Sequence, residues 1–291
     1  MDYIQLIDGF GVQLKDALSM SREIRLSQKP NAIVVCGVGS GVGDIVESLG
    51  CTVPVVVGKS DQLPQFVDRN SLVFCISYSG MHLEAVQCAL SAMQKHAKLI
   101  IVTSGGKLMR LAEENNVTLF KLPPEQDWAL GYLLIPVLSV LINNRLTDVT
   151  FDDIKNTSSA LSQSAVKQKA LDLAQNVGKA PVIYSPPQLY SAAQHIKDSL
   201  GRIAKLQAHS NFFPEIVHAE LFGINKSSHF IILRDQNESA VVRNSIDAFK
   251  AEAKIQFTEL MLRGDRLFNK IILAIVFGEY LSYFLAKRTG V

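Results

Sequence analysis

The chain has 291 residues, of which 48% are hydrophobic and 19% charged. That suffices for two domains of about 100–150 residues each and is too apolar for intrinsic disorder. Lys plus Arg number 29 against 27 for Asp plus Glu, so no basic excess points to nucleic acid or an anionic membrane as partner.

The four cysteines, Cys36, Cys51, Cys75 and Cys88, form no C-x-x-C pair, and three lie in or beside apolar runs. They read as reduced thiols of a cytoplasmic protein, not as a disulfide frame or a zinc site. Met1-Asp2-Tyr3-Ile4 lacks the basic start of a signal peptide. The longest apolar stretch, near Ile271–Phe277, falls short of a membrane span.

Short β-branched runs alternate with helical patterns along the first half. Strands are predicted at Ala32–Cys36, Val53–Val57, Leu72–Ile76, Leu99–Thr103 and Val117–Lys121. Helices are predicted at Asp44–Leu49, His82–Ala92 and Lys107–Glu114, with a buried helix over Leu130–Ile142. Continuous apolar strands with crossover helices of 3.6-residue period indicate a doubly wound parallel α/β sheet. The polar stretch Asn143–Ser164 sets the boundary, giving domains 1–147 and 148–291. The second half repeats the grammar, with strands at Pro181–Tyr184 and Phe230–Leu233 and helices at Leu189–Leu206 and Leu267–Ala286.

Three loops sit where strands end and helices begin. Gly37-Val38-Gly39-Ser40-Gly41-Val42-Gly43 follows the first strand. It lacks the acidic residue about 20 positions on that a dinucleotide site wants, and a plain tight turn explains it equally well. Ser77-Tyr78-Ser79-Gly80 and Thr103-Ser104-Gly105-Gly106-Lys107 follow later strands. Hydroxyls and glycines at helix N-termini suit an anion such as phosphate, at the sheet edge where open α/β sheets bind ligands. The alternative is that Ser77, Ser79 and Ser104 only cap helices.

These loops resemble the sugar isomerase (SIS) fold, and specifically the bifunctional phosphoglucose/phosphomannose isomerase family. Gly37–Asp44 is similar to G-M-G-G-S-G-I-G-G-D, and Leu63-Pro64-Gln65-Phe66-Val67 to L-P-x-F-V. Ser77–Gly80 resembles the opening of S-Y-S-G-N-T-E-E-T, and Thr103–Leu108 resembles T-S-G-G-K-L. Ala129–Leu133 is similar to the end of P-R-A-A-L-G-Y-L, Phe213–Glu220 to L-P-E-L-N-H-N-E, and Gly278–Val291 to G-D-Y-x-S-Y-Y-L-A-x-x-x-G-V.

The resemblance implies two SIS-type, flavodoxin-like doubly wound domains and a homodimer whose sites are completed across the interface. It also implies aldose–ketose isomerisation of hexose 6-phosphates through an enediol, with no metal or organic cofactor. Phosphate would sit at Gly37, Gly39, Ser40, Ser77, Ser79, His82, Thr103 and Ser104, with His218 opening the sugar ring.

Other positions depart from the family. Its glutamate base falls on Arg202, which stays protonated and cannot accept a carbon-bound proton. Its enediolate arginine falls on Asp127, an anion that would repel a developing oxyanion. His82 replaces a phosphate-loop threonine, and the chain stops at Val291, before the family's terminal lysine. A missing base costs about 10²–10⁴ in rate and a missing oxyanion donor about 10²–10³.

Two carboxylates are candidate substitute bases, Glu220 and Asp127, the latter if it faces Arg202 as a reversed ion pair. The sequence therefore predicts a sugar-phosphate-binding member with weakened isomerisation. A non-catalytic sensor or partner of a true isomerase is the alternative, and a purely structural dimer a third.

Overall fold

The computed structural model describes residues 2–37, 41–124, 127–161, 165–178 and 180–291. Helices α1 (Tyr3–Asp8) and α2 (Phe10–Ser19) open the chain. Then come β1 (Ile33–Cys36), α3 (Val42–Leu49), β2 (Val55–Gly58), β3 (Leu72–Ile76), α4 (Leu83–Gln94), β4 (Lys98–Thr103), α5 (Gly106–Glu114), β5 (Thr118–Lys121) and α6 (Leu130–Asn143). Helices α7 (Phe151–Leu161) and α8 (Val166–Ala174) lead to β6 (Pro181–Ser185), α9 (Tyr190–Arg202), β7 (His209–Phe212), α10 (Glu215–Ala219), β8 (His229–Asp235), α11 (Ala240–Ala253), β9 (Phe257–Leu262) and α12 (Leu267–Thr289).

Two compact units result. Gly9–Ser158 forms one; Met1–Asp8 together with Ser159–Val291 forms the other, so the division falls inside α7. The first carries a five-stranded parallel sheet of order β2-β1-β3-β4-β5, and the second a four-stranded parallel sheet of order β7-β6-β8-β9. In both sheets the chain runs outward first to one side and then to the other. The topological switch points lie between β1 and β3 and between β6 and β8, as expected for doubly wound units.

Burial explains why these segments are strands. β1, β3 and β6 are buried at every position, which suits β-branched runs covered by helices on both faces. Cys36, Cys75 and Cys88 are buried in one cluster against the first sheet, where Cys88 Sγ donates to the Ser60 carbonyl at 3.4 Å. Cys36 and Cys75 sit side by side in register on β1 and β3. All four cysteines are free.

Helix α12 is long and apolar enough to cross a membrane by length and composition, exceeding the stretch predicted from sequence. Most of it is buried inside its own unit, packed on α8 and α9. Its apolar character is that of a core helix.

Candidate functional site

The carboxyl edge of the first sheet is built by two loops locked back to back. The Ser77–Gly80 loop follows β3 and the Thr103–Gly106 loop follows β4. The Tyr78 carbonyl joins them, accepting from the Ser104 amide at 2.9 Å, the Ser104 hydroxyl at 2.7 Å and the Thr103 hydroxyl at 3.3 Å. Thr103 Oγ1 also donates to the Gly105 carbonyl at 3.0 Å. Gly80 has φ +65°, and a Cβ there would lie 1.8 Å from the Gly105 carbonyl oxygen. Gly106 has φ +71°, and its Cβ would lie 2.3 Å from the Ser79 carbonyl oxygen. Only glycine permits both the left-handed backbone and this approach.

The hydroxyls of Ser77 and Ser79 are used differently from those of Thr103 and Ser104. Ser77 Oγ accepts from the Gly80 amide at 3.1 Å, and Ser79 Oγ accepts from the Met81 amide at 3.3 Å. An accepting hydroxyl keeps its proton to give away. Ser77 is buried, Ser79 is exposed, and His82 Nδ1 lies 3.3 Å from Ser77 Oγ. His82 is the residue preceding α4, and no side chain caps that helix or α5. The serines are therefore not conventional caps, and the α4 N-terminus remains open to an anion. Thr103 and Ser104, by contrast, spend their protons on loop carbonyls.

Gly37 is half-buried at the end of β1, and Gly41 opens α3 with φ +67°. Gly39 and Ser40 lie outside the described residues. Asp44, in the first turn of α3, pairs with Lys59 at 2.8 Å. Asp127 is exposed on the approach to α6 and carries no hydrogen bond or ion pair among the described residues.

His218 and Glu220 belong to the second unit, at and just beyond the end of α10. His218 is exposed and without a hydrogen bond among the described residues. Glu220 is anchored at both oxygens, by the Tyr184 hydroxyl at 2.5 Å and the Asn211 amide at 2.6 Å. Burial, reinforced by the bond to Glu220, pushes the Tyr184 phenol up, so it stays a donor.

Arg202 finds its carboxylate within this unit. Its Nη2 lies 3.0 Å from Glu279 Oε1, and its Nη1 donates to the Tyr3 hydroxyl at 3.1 Å. Glu279 is fully buried on α12 and also accepts from Tyr3 at 2.5 Å and Ser199 at 2.6 Å, with His195 Nε2 at 2.9 Å. Burial pushes the Glu279 carboxyl up, but His195, Arg202 and Ser199 outweigh it and hold the group below the usual range. The sequence reading missed this cluster. Its only signal was a lone acid in the apolar run of α12.

The corresponding edge of the second sheet is filled from within. Asp235, at the end of β8, takes the Lys270 ammonium at 2.5 Å, and both side chains are nearly inaccessible. Arg234 is held by Glu238, with Glu259 at 2.7 Å. At the end of β8 the second sheet places carboxylates already neutralised by the chain's own cations, while at the end of β6 the Ser185 hydroxyl is buried without a hydrogen-bond partner among the described residues.

Residues 166–291 match a family described as bacterial phospho-glucose isomerase C-terminal SIS domain. A bifunctional phosphoglucose/phosphomannose isomerase of Thermoplasma acidophilum is 28% identical over 285 residues, covering 96% of this chain and 90% of that protein. Over nearly its whole length the chain is similar to SIS-fold phosphoglucose/phosphomannose isomerases. Another phosphoglucose/phosphomannose isomerase, from Aquifex aeolicus, is 28% identical over 277 residues, covering 89% of this chain and 85% of its own length. A glucosamine-6-phosphate deaminase structure from Thermotoga maritima superimposes with TM-score 0.73 at 10% identity, over 100% of this chain and 96% of that one. That likeness concerns the fold alone.

Proposed function

We propose that this chain binds a hexose 6-phosphate, or a closely related sugar phosphate, at the carboxyl edge of the β2-β1-β3-β4-β5 sheet, and that its isomerase chemistry is weakened or lost. The observation that carries the reading is the hydrogen bonding of Ser77 and Ser79. Each accepts one backbone N–H beside an uncapped helix start; Ser79 keeps its proton to donate, and Ser77 shares its hydroxyl with His82 Nδ1 at 3.3 Å. His82 adds a third group in reach of Ser77, and Gly37 belongs to the adjacent loop. Thr103 and Ser104 act one step removed, bracing the cradle through Tyr78.

Weak chemistry follows from Arg202. A guanidinium held by Glu279 cannot take a proton from carbon. Glu220 has both oxygens committed, which leaves Asp127 as the unengaged carboxylate among the substitutes. Exposed His218 is suited to complete the site of a second copy in a cytoplasmic homodimer.

Incubating the protein in D₂O with fructose 6-phosphate, then with glucose and mannose 6-phosphates, tests this by NMR. Phosphorus line broadening that disappears in Ser77→Ala/Ser79→Ala, with little or no deuterium entering C2, is the expected result. Affinity unchanged in that variant would overturn the phosphate assignment. Rapid exchange at C2 would overturn the weakened chemistry and make Asp127→Asn the next variant.

A further inference from the structure

A second cleft opens on the Gly9–Ser158 unit, between the end of α2, the last residues of β5 and the first turns of α6. It has a volume of about 250 Å³ and is lined by Ala17, Met20, Arg22, Phe120, Lys121, Leu122, Tyr132 and Pro136. None of the serine-loop residues lines it. Its floor is apolar and inaccessible, with Phe120 and Leu122 each 3% exposed.

Its polar groups are unmatched. Arg22 and Lys121 are exposed at the rim, and neither side chain has a hydrogen bond or ion pair among the described residues. Tyr132 is 9% exposed as a whole residue; its hydroxyl has no hydrogen-bond partner among the described residues and is open to the cleft solvent. Burial, with Asp16 and Tyr78 nearby, raises that phenol, so it stays a neutral donor. Asp16 is close enough to act on the phenol but does not line the cleft, whose charged lining residues are Arg22 and Lys121.

We propose that this cleft binds a small amphiphilic anion, with an apolar body on Phe120, Leu122 and the Tyr132 ring. A carboxylate or phosphate head would be held by Arg22, Lys121 and the Tyr132 hydroxyl. The volume lies below the ~300–1,000 Å³ of drug-sized pockets, so the body is about one ring or a short chain. The cleft is independent of the sugar-phosphate reading, although Tyr132 interacts with Tyr78, whose carbonyl ties the two serine and threonine loops together.

Phenyl phosphate titrated calorimetrically into the full chain tests the proposal. In the Ser77→Ala/Ser79→Ala background, where the loops are disabled, saturable binding should persist. Adding Arg22→Ala/Lys121→Ala should weaken it about tenfold or more, because two charge-assisted contacts are removed. Tyr132→Phe in the otherwise unmodified chain should weaken the cleft site about 3–10-fold, as loss of one neutral hydrogen bond does. Absence of saturable binding in the serine background, or binding indifferent to Arg22, Lys121 and Tyr132, would overturn it. Neither result bears on hexose 6-phosphate binding to the unmodified protein.

Discussion

Replacing Glu279 should destabilise the second unit far more than a single hydrogen bond would. The carboxylate is fully buried, and removing it strands the Tyr3 and Ser199 hydroxyls, His195 and Arg202. Breaking a buried ion pair at one end costs about 3–5 kcal/mol. Arg202 is 47% exposed and can rehydrate, which lowers the figure for Glu279→Ala to roughly 2–4 kcal/mol.

With a urea slope of about 2–3 kcal/mol/M, that is a midpoint shift of about 1 M, measurable by circular dichroism. The pH dependence has a fixed sign. The folded carboxyl is held below the ordinary glutamate value of 4.5, so its contribution is fully present above pH 4.5 and is lost as pH falls through the folded value. Glu279→Gln should therefore flatten the acid side of the stability profile. A Glu279→Ala protein within about 0.5 kcal/mol of the parent, the range of an ordinary surface change, would refute the reasoning.

Three further perturbations probe the edges of the two sheets. Gly80→Ala places a Cβ 1.8 Å from the Gly105 carbonyl oxygen and should destabilise the protein by about 3 kcal/mol or more, lowering the thermal midpoint sharply; a thermal scan matching the parent contradicts the interlock. Lys270→Met should cost about 3–5 kcal/mol by leaving Asp235 buried and unpaired, and adding Asp235→Leu should recover most of it in urea titrations. A single variant as stable as the double would show that the pair is not buried as described. Ser104→Ala removes one of three donors to the Tyr78 carbonyl, so stability should fall by only about 0.5–1 kcal/mol and hexose 6-phosphate affinity by less than about threefold. An affinity loss equal to that of Ser77→Ala would place Ser104 on the phosphate itself.

The parts of the molecule readable from sequence were those whose information is local. β3 is predicted at Leu72–Ile76 and found there, because a parallel strand buried on both faces is an uninterrupted apolar run. β7 (His-Ser-Asn-Phe) and β9 (Phe-Thr-Glu-Leu-Met-Leu) escaped, because each is an edge strand with polar or half-exposed positions. Helices α1, α2 and α11 also went unread.

The serine loops were legible because hydroxyl, glycine and helix start are neighbours in the chain. The setting of Arg202 was not. A reversed pair with Asp127 was the alternative considered, whereas its guanidinium lies on Glu279, brought there by the packing of α9 on α12. No spacing rule anticipates a contact that three separate helices assemble.

The placement of α1 has a consequence for how the chain is made. Tyr3 is synthesised 276 positions before Glu279, yet the two are hydrogen-bonded. The Gly9–Ser158 unit is thus an insertion within the other, and it can complete its sheet while the second is still being translated. Helix α1 must wait, its partners absent, until α12 arrives. The second unit therefore closes in a high-contact-order step that begins only after α12 has been made.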